Sequence, residues 1–430
     1  MNIFLDSIGC RLNQSEIEKY ASQFIEQGHQ LVPRLEEADL VVLNTCAVTA
    51  AASADSRQRL HKWLRKPGLR IVATGCLPPQ EISALQDLPG DLTWVPNLMK
   101  DNLVQLILEN AAGSPRSGRS PVPGIRSRTR AFIKAQDGCD NHCTFCVTRL
   151  ARGVSRSTPA ETVLADMKNA LAAGAREIVL TGVHLGSWGL DIGQEQNLRD
   201  LIARILLLPG DYRLRLSSIE PWGIPAGFFS LWQQDDRLCP HFHLPMQSGS
   251  AATLKRMARN NTPESFRQLV QEIRAVLPRA SITTDVIVGF PGESDSEFNE
   301  TVEFIRAMKF SGGHVFHYSE RPGTAAVRLP DPVSDQVKKH RGEIIRNLIK
   351  ESAGEIAKTK IMTAPVVLWE KGRVNSAGQK IHGGLTKEND RVFTRSDQDI
   401  QNQFLPVRLL RWDGSAFWGE ISAPETPGSH

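Results

Sequence analysis

The first hundred residues alternate between short apolar runs and amphipathic stretches. Three runs, "NIFLDSIG", "ADLVVLNT" and "LRIVATG", are short, continuous and rich in β-branched residues, which indicates buried strands. The stretch "SEIEKYASQFIEQG" has helical period, with Ser15 and Glu18 in a capping-box pattern at its start. Four apolar residues share one face of this helix: Ile17, Ala21, Phe24 and Ile25. The repeated strand and helix order predicts a parallel α/β domain over residues 1–112.

The same rhythm returns after residue 130 and continues to about residue 330. The predicted strands are "AFIKAQ", "REIVLTGV", "YRLRLSSIE", "HFHLPMQ", "SITTDVIVGF" and "GGHVFHYS". Thr158 with Pro159, and Thr262 with Pro263, mark two helix starts. Six units are too few for a complete eight-fold barrel, so we expect a partial (β/α)6 barrel with its active site at the C-terminal ends of the strands. A long amphipathic helix, "SDQVKKHRGEIIRNLIKESAGEIAKTK", follows it, and we place the domain at residues 131–358.

Residues 359–422 alternate like short strands with turns, which predicts a small β-barrel. Such barrels often bind nucleic acid through aromatic and basic side chains, and five are available: Trp369, Arg373, Arg408, Arg411 and Trp412. A structural cap whose tryptophans fill its own core is the alternative. Residues 113–130, rich in Pro, Gly, Ser and Arg, are expected to form an exposed linker, and residues 423–430 a tail. The expected fold class is therefore α/β, with three domains.

Composition adds limits on location and partners. The chain of 430 residues has a net charge of +4 and a pI of about 8.7, a bias that permits nucleic-acid binding without requiring it. The N-terminus has no basic flank followed by an apolar core, and no run approaches the roughly 20 apolar residues that span a bilayer. We therefore expect a cytoplasmic protein without a membrane partner.

The seven cysteines are the strongest chemical signal. Cys10, Cys46 and Cys76 each follow one of the three N-terminal strand candidates, and parallel strands place their C-terminal ends at one edge of a sheet. We expect these three thiols to converge there, although three independent buried cysteines remain the alternative. Cys239 has no partner by spacing and is interpreted as a small buried hydrophobe.

The segment "DGCDNHCTFC" places Cys139, Cys143 and Cys146 in one loop after the first strand of the predicted barrel. Three thiolates can hold three corners of a cubane iron–sulfur cluster and leave the fourth iron free to bind another molecule. Zinc is the rival occupant, with His142 as a possible fourth ligand. We interpret His142 as a solvated loop residue, because C-x₃-C-x₂-C with Phe145 before the last cysteine is a specific pattern.

That loop on a partial barrel resembles the radical S-adenosylmethionine enzymes. The resemblance extends over essentially the whole chain to the methylthiotransferases of that group, through "GCRLNQSE", "NTCAVT", "TGC", "QDGCDNHCTFC", "ARGVSRS", "LTGVHLGSWG", "HLPMQSGS", "DVIVGFPGE" and "YSERPGT". Among their branches, the chain is most similar to the tRNA enzymes that act on N6-threonylcarbamoyladenosine. "VTRLARG" after the third loop cysteine and "TGCLPPQ" at Cys76 depart from the usual pattern, which bears on fine specificity.

The resemblance implies two [4Fe–4S] clusters and S-adenosylmethionine as cofactors. Cys139, Cys143 and Cys146 would hold the cluster that cleaves S-adenosylmethionine to a 5′-deoxyadenosyl radical. Cys10, Cys46 and Cys76 would hold the cluster that carries the sulfur species delivered to the substrate. The implied reaction adds a methylthio group at C2 of the modified adenine. A radical suits this reaction because the adenine C2–H bond is strong and non-acidic, so that no side-chain base removes its hydrogen at neutral pH.

Seven further residues are predicted to bind the cofactor: Phe145, Thr181, Gly182, Val183, Glu220, Gly289 and Glu293. Residues 181–183 can present backbone groups to its amino group, although an ordinary turn explains them equally. Glu220 can bind a ribose hydroxyl or an ammonium group, or it is simply solvated. The glycines of "IVGFPGE" permit close approach of the cofactor.

The resemblance also implies partners. These are a tRNA anticodon stem-loop, a reducing electron donor such as flavodoxin or ferredoxin, and the cluster-assembly machinery. The C-terminal barrel resembles the TRAM domain, which contacts tRNA.

Other functions remain open at this point. Within the family, the substrate alternatives are isopentenyladenosine in tRNA and ribosomal protein S12. Outside it, a non-enzymatic iron–sulfur or zinc RNA-binding protein would bind no S-adenosylmethionine. An electron-transfer protein would need fully ligated irons and would have little use for the barrel.

Overall fold

The computed structural model describes residues 1–108, 129–193 and 196–422. The predicted linker, apart from Thr129 and Arg130, and the predicted tail lie outside these residues.

Five parallel strands in the order β2-β1-β3-β4-β5 form the N-terminal sheet. The strands are β1 (Asn2–Ser7), β2 (Gln30–Leu31), β3 (Leu40–Thr45), β4 (Arg70–Gly75) and β5 (Asp91–Trp94). The helices are α1 (Arg11–Glu26), α2 (Ala50–Leu64), α3 (Pro79–Gln86) and α4 (Leu103–Leu108). Every residue of β3 is buried, because alternate side chains pack into separate cores on the two faces, Val41 and Leu43 on one and Val42 on the other. The predicted parallel α/β domain is confirmed.

The start of α1 was predicted one turn too late. The helix begins at Arg11 with Cys10 at its N-cap, and Ser15 is buried inside it, so Ser15 and Glu18 do not form its capping box. Ile25 is 46% exposed and lies outside the core face. The reason is the tight turn at Gly9, which carries the chain directly from β1 into the helix.

Six parallel strands form the central domain as two sheets, β6-β9-β10 and β11-β12-β13. Single bridges from Leu214 to Leu238 and from Ser218 to His243 connect the two sheets. The six strands are β6 (Arg130–Lys134), β9 (Glu177–Thr181), β10 (Arg213–Leu216), β11 (His241–His243), β12 (Ser281–Val288) and β13 (Gly312–His317). Two further short strands, β7 (Gln136–Asp137) and β8 (Arg156–Ser157), form a separate pair. All six predicted strands are present, and the partial barrel is confirmed.

Helices connect these strands and cover the outside of the barrel. They are α5 (Thr148–Arg152), α6 (Ala160–Ala172), α7 (Leu198–Leu206), α8 (Leu231–Gln234), α9 (Ala251–Arg256), α10 (Pro263–Val276), α11 (Asp295–Met308) and α12 (Asp335–Lys360). Thr262 caps α10 as predicted, whereas α6 begins one residue after Pro159 instead of at it. Helix α1 of the N-terminal domain packs against β6, which joins the first sheet to the edge of the barrel.

The C-terminal domain is a closed five-stranded β-barrel, because the β14–β16 pairing completes the ring β14-β18-β19-β17-β16. Its strands are β14 (Val366–Trp369), β15 (Arg373–Val374), β16 (Lys380–Leu385), β17 (Arg391–Arg395), β18 (Phe404–Trp412) and β19 (Phe417–Ile421). Trp369 is fully buried in the barrel core, so the prediction that it is available to nucleic acid is wrong. The three predicted arginines, Arg373, Arg408 and Arg411, are exposed.

Charged side chains join this barrel to the N-terminal ends of the central strands. Arg215 pairs with Glu177 at 2.9 Å and donates hydrogen bonds to the carbonyls of Thr386 and Lys387. Arg213 stacks on Phe404 at 4.6 Å and donates to two further carbonyls of the barrel. The C-terminal barrel is therefore attached at the end of the strands opposite to the cysteine loop. Among the described helices, none is both long and apolar enough to cross a membrane.

Candidate active site

Cys10, Cys46 and Cys76 meet at one edge of the N-terminal sheet. Cys46 and Cys76 directly follow the neighbouring strands β3 and β4, and Cys10 caps α1 after β1, which pairs with β3. The predicted convergence is confirmed, and the role of these thiols as ligands stays a prediction. Burial raises the pKa of Cys46 to about 12 and also raises that of Cys76, where the charge of Arg152 opposes the effect.

Two glycines allow this approach. Gly9 has a φ of +93°, and a Cβ there would lie 2.4 Å from the Cys46 sulfur. Gly75 has a φ of +110°, and its Cβ would lie 2.3 Å from the carbonyl oxygen of Thr45. Since L side chains rarely adopt such φ values and have no space here, both turns require glycine. The turns that carry Cys10 and Cys76 are thus shaped by the residue before each cysteine.

Cys139, Cys143 and Cys146 occupy the loop after β7, at the C-terminal end of the first barrel strand. Thr144 anchors this loop, since its amide donates to the carbonyl of Met257 and its hydroxyl to that of Arg256. Asn141 Nδ2 donates to Cys139 Sγ at 3.4 Å, and an Arg259 nitrogen lies 3.8 Å from Cys143 Sγ. Burial raises the pKa of Cys143 to about 11, against the opposing charge of Arg259.

Arg259 also organises Glu220. The guanidinium holds both carboxylate oxygens, at 2.6 and 3.2 Å, and stacks on Trp222 at 4.4 Å. Glu220 is therefore ion-paired beside the loop, and its predicted contact with the cofactor stays a prediction. Within the described residues, His184 Nε2 and Arg259 Nε are buried beside this loop without a hydrogen-bond partner. Buried polar atoms of this kind fit a polar molecule bound at the loop.

The remaining predicted cofactor residues fall into two groups. Thr181 ends β9, and Gly182 packs on Gln136, whose Oε1 accepts a hydrogen bond from the amide of His184 at 2.8 Å. Gly289 and Glu293 instead belong to a buried hydrogen-bonded group. Glu293 accepts hydrogen bonds from the Gly289 amide and from Arg341, each at 2.7 Å. The space that a Cβ would need at Gly289 is filled by Lys338 of α12, so this glycine has a packing role of its own.

A cavity of about 250 Å³ lies between the N-terminal domain and the barrel. Residues 48–50, just after Cys46, line one side, and residues 145–148, including Phe145 and Cys146, line another. The ends of β12 and β13 complete the wall with Asp285, residues 316–319 and Arg321. Phe145 also packs edge-on against Phe290, at 6.3 Å between ring centres. Cys146 thus lines a cavity whose opposite wall begins at Val48, two residues after Cys46.

Two family descriptions match the chain. Residues 2–95 match the Uncharacterized protein family UPF0004, and residues 133–305 match the Radical SAM superfamily. The threonylcarbamoyladenosine tRNA methylthiotransferase MtaB of Thermotoga maritima is 37% identical over 359 residues, which cover 81% of each chain. The chain belongs to the radical SAM methylthiotransferase family.

Sequence identity to other members of this family differs between its branches. Four relatives named threonylcarbamoyladenosine tRNA methylthiotransferase are 33% to 37% identical. The tRNA-2-methylthio-N(6)-dimethylallyladenosine synthase of Natranaerobius thermophilus is 29% identical, with coverage of 96% of this chain and 95% of that one. Among solved structures, the radical S-adenosylmethionine methyltransferase TsrM from Kitasatospora setae superposes with a TM-score of 0.55 at 15% identity, over 76% of each chain, which bears on the fold alone.

Enzymes of the radical SAM superfamily use S-adenosylmethionine and a [4Fe–4S] cluster, and the donor atoms of the loop fit such a group. Three thiols lie together there, and N–H groups of Asn141 and Arg259 point at two of them. His142 is exposed, as predicted. In the described ranges, no three His, Cys, Asp or Glu side chains are arranged to hold a single metal ion.

Sequence reasoning missed the polar residues that surround the thiols of this methylthiotransferase. Arg152 donates to Cys76 Sγ at 3.2 Å, Arg259 contacts Cys143, and Asn13 accepts a hydrogen bond from Cys10 at 3.6 Å. Asn13 and Arg152 lie inside the motifs "GCRLNQSE" and "ARGVSRS". A charged or amide residue within a family motif was the signal that could have found these two, whereas Arg259 lies in none of the motifs.

Proposed function

We propose that this protein is a tRNA-modifying radical SAM enzyme that adds a methylthio group to C2 of N6-threonylcarbamoyladenosine at position 37. The observation that carries this proposal is the cavity lined by Val48, two residues after Cys46, on one side and by Cys146 on the other. A reaction that needs both a radical and a sulfur source requires both sites to reach the same substrate atom.

The two triads have different proposed roles. Cys139, Cys143 and Cys146 hold the [4Fe–4S] cluster that binds S-adenosylmethionine, and Cys10, Cys46 and Cys76 hold a second one. When bound, the first cluster supplies the electron that cleaves S-adenosylmethionine, and the second supplies sulfur for the product. The chain's own contribution is to direct N–H groups at the sulfurs, from Asn141 and Arg259 at the loop and from Arg152 at Cys76.

The cavity walls suit a nucleobase. Phe145, Phe316 and Tyr318 provide aromatic surface for stacking, and an unstacked base in an RNA loop is a common target for such side chains. Of the predicted cofactor residues, Thr181, Gly182, Val183 and Glu220 keep their proposed role at the C-terminal ends of the strands, as does Phe145. Gly289 and Glu293 are proposed to act indirectly, by fixing the loop after β12.

Partners follow from this chemistry. The substrate is the tRNA anticodon stem-loop, the reductant is a flavodoxin or ferredoxin, and cluster-assembly proteins load both sites. Because its substrate is tRNA, we place the enzyme in the cytoplasm. The proposed domains are the N-terminal domain with the second cluster (1–112), the linker (113–130), the radical SAM barrel with its trailing helix (131–358), the C-terminal barrel (359–422) and the tail (423–430). The C-terminal barrel is proposed to contact RNA through its exposed arginines.

The choice of substrate rests on similarity within the family, since relatives with the threonylcarbamoyl name are more similar to this chain than the dimethylallyladenosine synthases. Nucleoside mass spectrometry of tRNA from a strain that lacks the gene tests it. We expect N6-threonylcarbamoyladenosine without its methylthio group, restored by the wild-type gene and not by a Cys139→Ala variant. Loss of the methylthio group from dimethylallyladenosine, or from an aspartate of ribosomal protein S12, would show that the substrate is wrong while the chemistry stands.

A further inference from the structure

Arg152 lies at the boundary between the N-terminal and central domains and belongs to neither cysteine triad. It ends α5, and its side chain is only 1% exposed. All three of its guanidinium nitrogens donate hydrogen bonds. Nε donates to Cys76 Sγ at 3.2 Å, one terminal nitrogen to Glu16 at 3.1 Å and Asp137 at 2.9 Å, and the other to Asn13. A side chain of the central domain thus contacts a proposed ligand held by the other domain.

Asn13 extends this contact to the other two thiol positions. Its Oδ1 accepts from Cys10 Sγ at 3.6 Å as well as from Arg152. Its Nδ2 donates to the carbonyls of Ile8 and Thr45, each at 2.8 Å, and Thr45 is the residue before Cys46. Through one amide, Arg152 is therefore connected to the backbone or sulfur of the whole N-terminal triad.

Asp137 extends the contact in the opposite direction. Its Oδ1 accepts from Arg152 and from the amide of Gly138, at 2.9 and 2.8 Å, immediately before Cys139. One guanidinium group consequently holds both the N-terminal triad and the start of the radical loop.

The surrounding charges are largely buried and are paired with one another, and Lys134 also lies within 3.8 Å of Glu16 and 3.7 Å of Asp137. Lys100, with no exposed side-chain surface, pairs with Glu16 at 2.6 Å and with Asp137 at 2.7 Å. Burial alone raises the pKa of Glu16, but the charges of Arg152, Lys100 and Lys134 lower it to about 2. Both carboxylates accept from the same terminal nitrogen of the guanidinium, which leaves the Nε hydrogen directed at sulfur.

We propose that Arg152 is a positioning residue that raises the reduction potential of the N-terminal cluster and fixes this cluster relative to the radical loop. Hydrogen bonds to ligand sulfurs help to set the potential of an iron–sulfur cluster, and a buried cation stabilises the more negatively charged, reduced state. This inference rests on the cluster assignment in the proposed function, and it assigns a role to a residue outside both ligand sets.

The potential can be measured in the full chain with Cys139, Cys143 and Cys146 replaced by alanine, which isolates the N-terminal cluster. The matched pair is Glu16→Gln alone and Glu16→Gln with Arg152→Met, because the double variant removes the cation together with one of its carboxylates. In a redox titration followed by electron paramagnetic resonance, we expect a lower midpoint potential in the double variant. At a fixed applied potential its reduced fraction should fall severalfold. Arg152→Lys should lie between arginine and methionine.

Arg204→Met, which removes an exposed arginine paired with Glu161, is the control and should leave the potential unchanged. Equal potentials with and without Arg152, or an equal shift in the control, would overturn the proposal. If the Arg152→Met variant takes up no iron, the Arg152→Lys variant decides. A midpoint potential in Arg152→Lys equal to that of the protein with arginine would contradict a role for the Nε contact. The titration needs neither tRNA nor S-adenosylmethionine, so a wrong substrate assignment would leave its result intact.

The second readout uses the chain with both triads intact. Arg152→Met should lower the ratio of methylthio product to 5′-deoxyadenosine, because S-adenosylmethionine cleavage continues while sulfur delivery is misaligned. A parallel loss of both products would indicate a merely structural role for Arg152.

Discussion

The two cysteine sites use the same three-thiol set but are assembled in opposite ways. The radical loop collects Cys139, Cys143 and Cys146 from one short segment, and all three are partly exposed. The N-terminal site collects its thiols from the ends of three strands, and Cys46 and Cys76 are only 3% and 1% exposed. Cys10, at the N-cap of α1, is exposed, so the sheet-edge site buries two of its thiols and opens to solvent at the third.

At each site an arginine nitrogen lies close to a cysteine sulfur, and these two arginines come from different places. Arg259 lies in the same domain as Cys143, between α9 and α10, and pairs with Glu220. Arg152 crosses a domain boundary to reach Cys76. The loop site is therefore complete within the central domain, while the sheet-edge site depends on how two domains pack. Variants should separate the two sites accordingly.

The largest effect is expected from replacing Cys139, Cys143 and Cys146 together by alanine. Reductive cleavage of S-adenosylmethionine should fall to background, because no open iron remains to bind it. After anaerobic reconstitution, iron analysis should give half of the wild-type content, since the N-terminal site lies on other strands. Wild-type iron content in this variant would contradict the assignment of the loop.

The reciprocal variant, with Cys10, Cys46 and Cys76 replaced by alanine, should still form 5′-deoxyadenosine but no methylthio product. The reason is that the loop is anchored by Met257 and Arg256, within its own domain. Product analysis by mass spectrometry measures both compounds in one reaction. Complete loss of cleavage, despite a loaded loop cluster and unchanged circular dichroism, would break the division of labour.

The same contrast explains what could be predicted from the sequence. The loop was recognisable because its three cysteines are neighbours in the chain, and the sheet-edge thiols because each follows an apolar run. Arg152 was not, because its partner Glu16 lies 136 residues away and only the packing of two domains brings them together. The burial of Trp369 was one of two alternatives that the sequence left open, since an alternating pattern fixes which side chains share a face but not which face is the inside of a closed barrel.

A smaller change should damage the sheet-edge site alone. In Gly9→Ala, the added methyl group would lie 2.4 Å from Cys46 Sγ, at a backbone φ of +93°. We expect loss of the N-terminal cluster, measured as half of the wild-type iron with S-adenosylmethionine cleavage retained. Gly28→Ala is the matched control, because it also has a positive φ, +78°, but no atom within 4 Å of the added methyl group. It should cost about 1–2 kcal/mol of stability and no iron. Equal iron loss in both variants would point to general destabilisation.

The smallest effect is expected at the arginine of the radical loop. Arg259→Met removes the cation next to Cys143 and leaves Glu220 without its partner, while all three thiols remain. Residues that support ligands in this way typically contribute about 10–100-fold in activity or metal affinity, so we expect slower cleavage of S-adenosylmethionine by that factor. Since Glu220 is itself a proposed cofactor residue, the double variant with Glu220→Gln is compared with Glu220→Gln alone: equal rates would show that the unpaired carboxylate causes the loss, and a further fall on removing Arg259 would show that the contact with Cys143 does.

Arg256→Met is the control for this last variant. Arg256 ends the preceding helix α9 and is ion-paired to Glu297, but its side chain contacts neither Glu220 nor a thiol. Initial rates of 5′-deoxyadenosine formation at equal iron content compare the two variants directly. A similar fall in both would mean that the region merely needs its ion pairs. A fall confined to Arg259→Met would mean that the positive charge next to Cys143 supports the loop site, as Arg152 is proposed to support the sheet-edge site.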